Sequence, residues 1–226
     1  MSTESFTRAE LAGRYDAIAP RWHRTLLCMG YLRAYRHLFA SLAASGVLPP
    51  GGCAIDCGIG TAGFTVALLQ ATTGPWHING FDISTAMLRE AKINLDRVRR
   101  LSAGHGRLAG FHLQLADVCA LPHPDASADV VICAHMLEHL PDPVAGLREM
   151  WRVLSPDAAL VLLVTRQGLW GRGLRHKWRV RCATESLLCA WLSAAGFAGA
   201  RTVPVRNPIY PCAWSSLAVI GQKRTR

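Results

Sequence analysis

The sequence predicts an α/β fold, a mostly parallel sheet with helices on both faces. Three observations predict it. Short apolar runs of strand length alternate with stretches of helical period along most of the chain. The first run ends in a glycine-rich turn, Asp56-Cys57-Gly58-Ile59-Gly60-Thr61-Ala62-Gly63. Three strand-like runs end in an acid: Asp56, Asp82 and Asp117. Parallel strands need crossover helices, and those helices bury both faces of the sheet.

Residues 1–20 are polar and gain apolar character only from Tyr15 to Pro20. From Arg21 to Ser45, Trp22, Leu26, Met29, Tyr35, Leu38, Phe39 and Leu42 recur at roughly helical spacing. Gly46 is the expected stop, and Pro49 to Gly52 a loop. Cys53 to Asp56 is the first strand, and Thr61 to Ala71 the helix after it. Trp76 to Phe81 is the second strand, closed by Asp82; Ser84 then caps a helix to about Arg99. Residues 102–110 read as a glycine-bearing loop. Phe111 to Leu115 alternates as a third strand, and Ala128 to Cys133, apolar but for Asp129, is a fourth. Asp142-Pro143 opens a helix to about Leu154, since an aspartate cap followed by proline suits a first helical turn. Ala158 to Val164 is the fifth strand, whereas Thr165 to Arg181 shows no clear period. Thr184 caps a helix through Ala195, closed by Gly196, and two more strands are expected near Ala200 to Val205 and Ser216 to Ile220.

A chain of 226 residues, half of them hydrophobic, is expected to fold as one domain with a sizeable core. The longest apolar run, Ala158 to Val164, is far too short to span a bilayer. Glu4, Glu10 and Asp16 interrupt the start, which lacks the apolar core of a signal peptide, so a cytoplasmic protein is expected. The eight cysteines form no C-x-x-C pair and read as reduced core thiols rather than a zinc site. The net charge of +10 is unevenly placed. Residues 158–226 carry 11 Lys/Arg and a single acid, Glu185, while residues 1–157 balance to zero. Such an asymmetry concerns partners rather than fold.

Ligands of open α/β sheets sit outside the carboxyl ends of the strands. The spacing Gly58-x-Gly60-x-x-Gly63 fits the dinucleotide fingerprint, but Asp56 two residues earlier would repel a pyrophosphate. It suits a ligand with positive charge, such as a sulfonium or ammonium group. Asp82 lies 19 residues past Gly63, near the distance expected for an acid that grips ribose hydroxyls. Asp117 is placed to accept from a purine amine. Each of the three also has a plain reading as a turn or cap residue.

Several segments together resemble the class I S-adenosylmethionine-dependent methyltransferases. They are Ala54 to Gly63, Asn79 to Leu88 (NGFDISTAML), Ala116 to Pro122 (ADVCALP), Ala128 to Pro143 (ADVVICAHMLEHLPDP) and Glu149 to Pro156 (EMWRVLSP). The nearest branch includes the ubiquinone and menaquinone biosynthesis methyltransferases, whose start is also similar to Tyr15-Asp16-Ala17-Ile18-Ala19-Pro20-Arg21-Trp22. The resemblance implies a Rossmann-like sheet of seven strands with the last antiparallel, and S-adenosylmethionine as cofactor. It implies that Gly58 and Gly60 approach the amino-acid part, Asp82 binds ribose, Ile83 flanks adenine, and Asp117 with Val118 borders the adenine edge. Ala134 and His135 then face the methyl donor, and Tyr15 closes over it, leaving Asp56 for the cationic end. The chain divides accordingly into a helical lid over 1–45, a cofactor-binding core over 50–165 and a basic acceptor-side segment over 166–226. The family often has glycine where Ala62 stands.

Positioning supplies much of a methyl transfer, whereas a hydroxyl acceptor also needs a general base. His135, just past the fourth strand, is the best placed candidate; His139 is the second and has a structural reading at the helix start. Glu138 reads as a scaffold residue. No histidine–carboxylate cluster indicates a metal. The acceptor is expected to be a small molecule, either anionic or lipid-soluble. Arg166 to Arg181 holds six Lys/Arg, two tryptophans and no acid. It reads as a solvated loop, a contact to an anionic acceptor, or a contact to an anionic membrane surface. Nucleic acid is disfavoured because no recognised RNA module accompanies the charge. A nucleic-acid or protein methyltransferase shares the cofactor half, but no Asn/Asp-Pro-Pro-aromatic run follows the fourth strand. A nicotinamide oxidoreductase would share the glycine turn, and Asp56 argues against it.

Overall fold

The computed structural model describes residues 6–101, 106–205 and 215–224, the side chain of Trp170 aside. Seven strands form one sheet: β1 (Gly52–Cys57), β2 (Trp76–Asp82), β3 (Leu108–Leu115), β4 (Ala128–Ala134), β5 (Leu154–Thr165), β6 (Ala198–Val203) and β7 (Ser216–Gln222). Their order is β3-β2-β1-β4-β5-β7-β6. β7 runs antiparallel to both β5 and β6, and the remaining pairs are parallel. The helices are α1 (Arg8–Cys28), α2 (Tyr31–Ala44), α3 (Gly63–Ala71), α4 (Thr85–Leu101), α5 (Pro143–Val153), α6 (Leu169–Trp178) and α7 (Glu185–Ala194).

The central strands of the sheet are buried on both faces. Tyr35, Phe39, Leu68, Trp76, Ile78 and Leu95 belong to the layer under α2, α3 and α4. Ile55, Phe81, Met150, Leu160 and Leu188 belong to the layer under α5 and α7. Two-sided burial explains the unbroken apolar runs Val130–Ala134 in β4 and Ala158–Val164 in β5. Strand order turns back between β1 and β4, and the crevice at their carboxyl ends is where such sheets hold ligands.

The local signals explain most of the boundaries. Asp142 accepts from the Val144 amide at 2.9 Å ahead of Pro143, and Thr184 accepts from the Leu187 amide at 3.2 Å. Gly46, two residues past α2, takes φ +70. Several boundaries differ from the expectation; β5, for one, starts at Leu154 rather than Ala158. The helical stretch expected from Arg21 is two helices: α1 already begins at Arg8 with a Thr7–Glu10 capping box, carries Pro20 inside it, and breaks at Gly30, whose φ is +77. α3 starts at Gly63 rather than Thr61, because Ala62 sits in the left-handed region at φ +62. That conformation costs a residue with a Cβ about 1 kcal/mol, which gives glycine its advantage there. β3 begins at Leu108, before the alternation that marked it, so part of the loop expected over 102–110 is strand, and residues 102–105 lie outside the described residues. Finally, α6 fills a segment without a legible period. Gly168, Gly171 and Gly173 hide its pattern, and a Cβ on Gly171 would collide with the Arg166 carbonyl oxygen.

Candidate functional site

Between β1 and α3 the chain makes a tight glycine loop. Gly58 has φ +79, and a Cβ there would lie 2.6 Å from Cβ and Cγ of Met136. Its amide and that of Ile59 donate to the Phe81 carbonyl at 2.8 and 3.0 Å. The Gly60 amide donates to Asp82 Oδ2 at 2.9 Å, while Asp82 Oδ1 accepts from the Ser84 amide at 2.9 Å. The loop is therefore tied to the end of β2 by the acid that closes that strand. Burial pushes the Asp82 carboxyl up despite those amides.

One cavity of about 380 Å³ opens here. Gly58, Gly60, Asp82, Ile83, Asp117, Val118, Ala134, His135, His139 and Tyr15 all line it. Residues far apart in sequence are thus brought together by the carboxyl ends of β1, β2, β3 and β4. Asp56 is the exception. It is fully buried and does not line the cavity; its Oδ2 accepts from Thr65 Oγ1 of α3 at 2.5 Å, and Oδ1 has no partner among the described residues. Burial pushes its carboxyl up to about 7, with the Thr65 bond pulling the other way and the Asp82 charge adding to the rise. The expectation that it directly faces a cationic ligand is corrected: β1 turns this side chain under α3, behind the cavity wall.

The roof comes from α1 and α6. Tyr15 stacks on Trp178 at 5.3 Å between ring centroids, and Trp22 meets both rings edge-on at 6.1 and 5.8 Å. Tyr15 Oη lies 2.9 Å from His139 Nε2. Burial pushes the Tyr15 phenol up, so it stays protonated, and burial lowers the His139 pKa despite the Glu138 charge, favouring the neutral ring. Arg8 of α1 reaches Asp117 Oδ2 at 3.0 Å, and Asp16 accepts from Ser84 Oγ at 2.6 Å and from the Ala86 amide at 3.1 Å. α2, by contrast, buries Tyr31, Tyr35, Leu38, Phe39 and Leu42 in the main core. Of the stretch expected as a lid, α1 forms the roof, while α2 adds Tyr31 and Tyr35 to the cavity wall.

His135 takes φ +55 directly after β4. Its Nδ1 lies 3.1 Å from Glu138 Oε1 and 3.4 Å from Thr165 Oγ1; its Nε2 lies 3.4 Å from Ser216 Oγ. The Tyr31 ring meets the imidazole edge-on at 5.4 Å. Leu137–His139 is a single 3-10 turn, so no α-helix carries His135 and His139 on one face. Glu138, read from sequence as scaffold, instead sits against the candidate base. The roles of Thr165, Ser216, Tyr31 and Arg8 carried no sequence signal, since 30 to 109 positions separate most of these pairs along the chain.

A family model described as a methyltransferase domain matches residues 55–162. A demethylmenaquinone methyltransferase of Deinococcus radiodurans is 33% identical over 155 residues, covering 69% of this chain and 57% of that protein. One of Lactiplantibacillus plantarum is 32% identical over 165 residues, covering 69% and 62%. The chain therefore spans less than two thirds of the length of either relative. Among solved structures, the [4+2]-cyclase SpnF superposes with a TM-score of 0.73 at 19% identity, with all of both chains covered. A structure titled as a possible histamine N-methyltransferase from Thermotoga maritima has a TM-score of 0.66 at 18% identity, covering 95% of this chain and all of that one. At such identities these two likenesses concern the fold alone.

Proposed function

We propose that this chain, which belongs to the class I S-adenosylmethionine-dependent methyltransferases, transfers a methyl group from that cofactor to a small-molecule acceptor. The observation that carries the reading is the convergence of the glycine loop, Asp82 and His135 on one aromatic-roofed cavity. When bound, the cofactor supplies a methyl on a sulfonium whose departure leaves a neutral thioether, so no acid is needed for the leaving group.

The residues fit this cofactor. A Cβ on Gly60 would meet nothing nearer than the Gly58 carbonyl at 4.0 Å, so the backbone is open to close approach. Asp82 lines the cavity, and an ionised carboxylate has about four acceptor sites, so the Gly60 and Ser84 amides leave capacity for ribose hydroxyls. In this reading Gly58 and Gly60 flank the amino-acid part, Ile83 and Val118 sandwich the adenine, and Asp117 takes its edge. Ala134 and His135 bound the methyl-transfer side. Asp56 acts from behind the wall by holding Thr65 and with it the start of α3.

The lid is α1, and its aromatic face with Trp178 of α6 suits a flat ring as acceptor. The demethylmenaquinone activity named for the two relatives supports a quinone-like ring. Arg172, Arg175, His176 and Lys177 stay exposed on α6, together with Leu169. We read that outward face as the side that meets an anionic lipid surface and presents the pocket to a lipid-soluble acceptor. No helix of the described residues is long and apolar enough to cross a membrane.

The test is incubation of the purified protein with methyl-labelled cofactor and a metabolite extract, with the labelled product identified by mass spectrometry. A labelled small molecule is expected. Tighter binding of a nicotinamide dinucleotide than of S-adenosylmethionine in calorimetry overturns the assignment. Sedimentation with anionic liposomes across a salt series tests the surface contact; it should weaken with salt and with neutralisation of Arg172, Arg175 and Lys177.

A further inference from the structure

His135 is clamped from several elements. The buried Glu138, 3% exposed, accepts three donors on the single oxygen Oε1: Thr165 Oγ1 at 2.5 Å, the Thr165 amide at 3.1 Å, and the His135 Nδ1 position at 3.1 Å. Its other oxygen, Oε2, is buried without a partner among the described residues. Burial alone would raise the Glu138 carboxyl, but the neighbouring His135 and His139 and the Thr165 bond bring it below its usual value. An ionised carboxylate only accepts, so Nδ1 facing it must carry a proton. Nε2 is then the basic nitrogen. Its contact to Ser216 Oγ, at 3.4 Å, is at the long limit of a hydrogen bond, and the imidazole side chain remains 21% exposed in the cavity wall.

We propose that Glu138 is a positioning residue that fixes His135 in the Nδ1–H tautomer and makes Nε2 a general base for an ionisable hydroxyl on the acceptor. The inference rests on the methyltransferase reading. In the step, the proton leaves the acceptor oxygen for Nε2, the negative charge stays on the acceptor, and the imidazolium is balanced by the Glu138 carboxylate. On an aromatic ring, a deprotonated hydroxyl activates both its oxygen and the adjacent ring carbons, so either atom class becomes nucleophilic. The other titratable groups around the pair are His139 beside Glu138, Tyr31 on α2, Tyr15 on α1, Cys133 on β4 and Cys182 after α6.

Nitrogen-15 NMR of histidine-labelled protein, without cofactor or acceptor, reads the tautomer directly. His135 is assigned by the signals lost in His135→Asn. The parent should show the Nδ1–H form, and in Glu138→Gln the proton affinity of His135 should fall at least tenfold. An Nε2–H tautomer in the parent overturns the proposal, and so does an unchanged titration in a folded Glu138→Gln. The parent measurement needs no variant and stands even if Glu138→Gln does not fold. Calorimetry with S-adenosylmethionine alone tests the underlying reading separately: a parent that binds it yet holds the Nε2–H form loses the base and keeps the family function. The labelled product of the extract experiment should carry a hydroxyl or methoxyl group at or next to the methylated atom. A methylated amine lacking such oxygen overturns the acceptor class.

Discussion

Arg8 Nη1 lies 3.0 Å from Asp117 Oδ2, joining the first turn of α1 to the loop after β3 across the cavity. Both side chains are about half exposed, so the pair contributes at most about 1 kcal/mol to stability and is screened by salt. In the proposed reading it acts as a latch on the roof rather than as a brace of the fold. Arg8→Ala should leave the melting transition nearly unchanged and speed limited proteolysis within α1, and added salt should do the same to the parent. Equal cleavage rates would show that the pair holds nothing closed.

Deleting residues 1–20 should remove turnover and leave a folded core. Of the described residues in that stretch only Leu11 and Ala19 are buried, whereas α2 supplies the core contacts. Circular dichroism checks the core, and transfer of labelled methyl checks the roof. Normal turnover by the truncated protein would end the lid assignment.

Asp82 holds the amides of Gly60 and Ser84 and lines the cavity. Asp82→Ala leaves those donors and the ribose hydroxyls without their acceptor. Cofactor binding should weaken by about 1–3 kcal/mol, which calorimetry resolves. Unchanged affinity would remove Asp82 from the site.

Two glycines offer opposite outcomes. At Gly58 a methyl group would meet Met136 at 2.6 Å and force φ +79 on an L-residue, so Gly58→Ala should destabilise by about 2–4 kcal/mol and abolish cofactor binding. Gly13 lies within α1 with nothing within 4 Å of the Cβ position. Gly13→Ala should stabilise by about 0.5–1 kcal/mol through helix propensity. Thermal melts of the two variants decide both signs.

Asp56 makes the protein less stable as pH rises. Its folded pKa is raised from 3.8 to about 7, so between those values the native state keeps a proton that the unfolded chain has lost. The stability difference between Asp56→Asn and the parent should therefore grow in favour of the variant from pH 4 to pH 7.5, by up to about 4 kcal/mol. Denaturant melts at both pH values measure it. A pH-independent difference would mean that Asp56 ionises normally.

The sequence by itself determined the sheet, its crossover helices and the wall of the cavity. Those features rest on local physics: apolar runs that must be buried, caps such as Asp142 and Thr184, and glycines at positive φ, all readable within a few neighbouring residues. Cavity-lining residues such as Gly58, Asp82, Asp117 and His135 were legible because strand ends are legible. Only the tertiary structure decided which way a side chain leaves its strand and what it meets. Asp56 looked like a crevice acid and is turned under α3; Glu138 looked like scaffold and holds the imidazole of His135. The roof was hidden for the same reason. Arg8 and Asp117 are 109 positions apart, and Tyr15, Trp22 and Trp178 become neighbours only when α1 and the glycine-masked α6 close over the sheet. Side-chain pairing across such distances follows from the packing of whole elements, which no local pattern encodes.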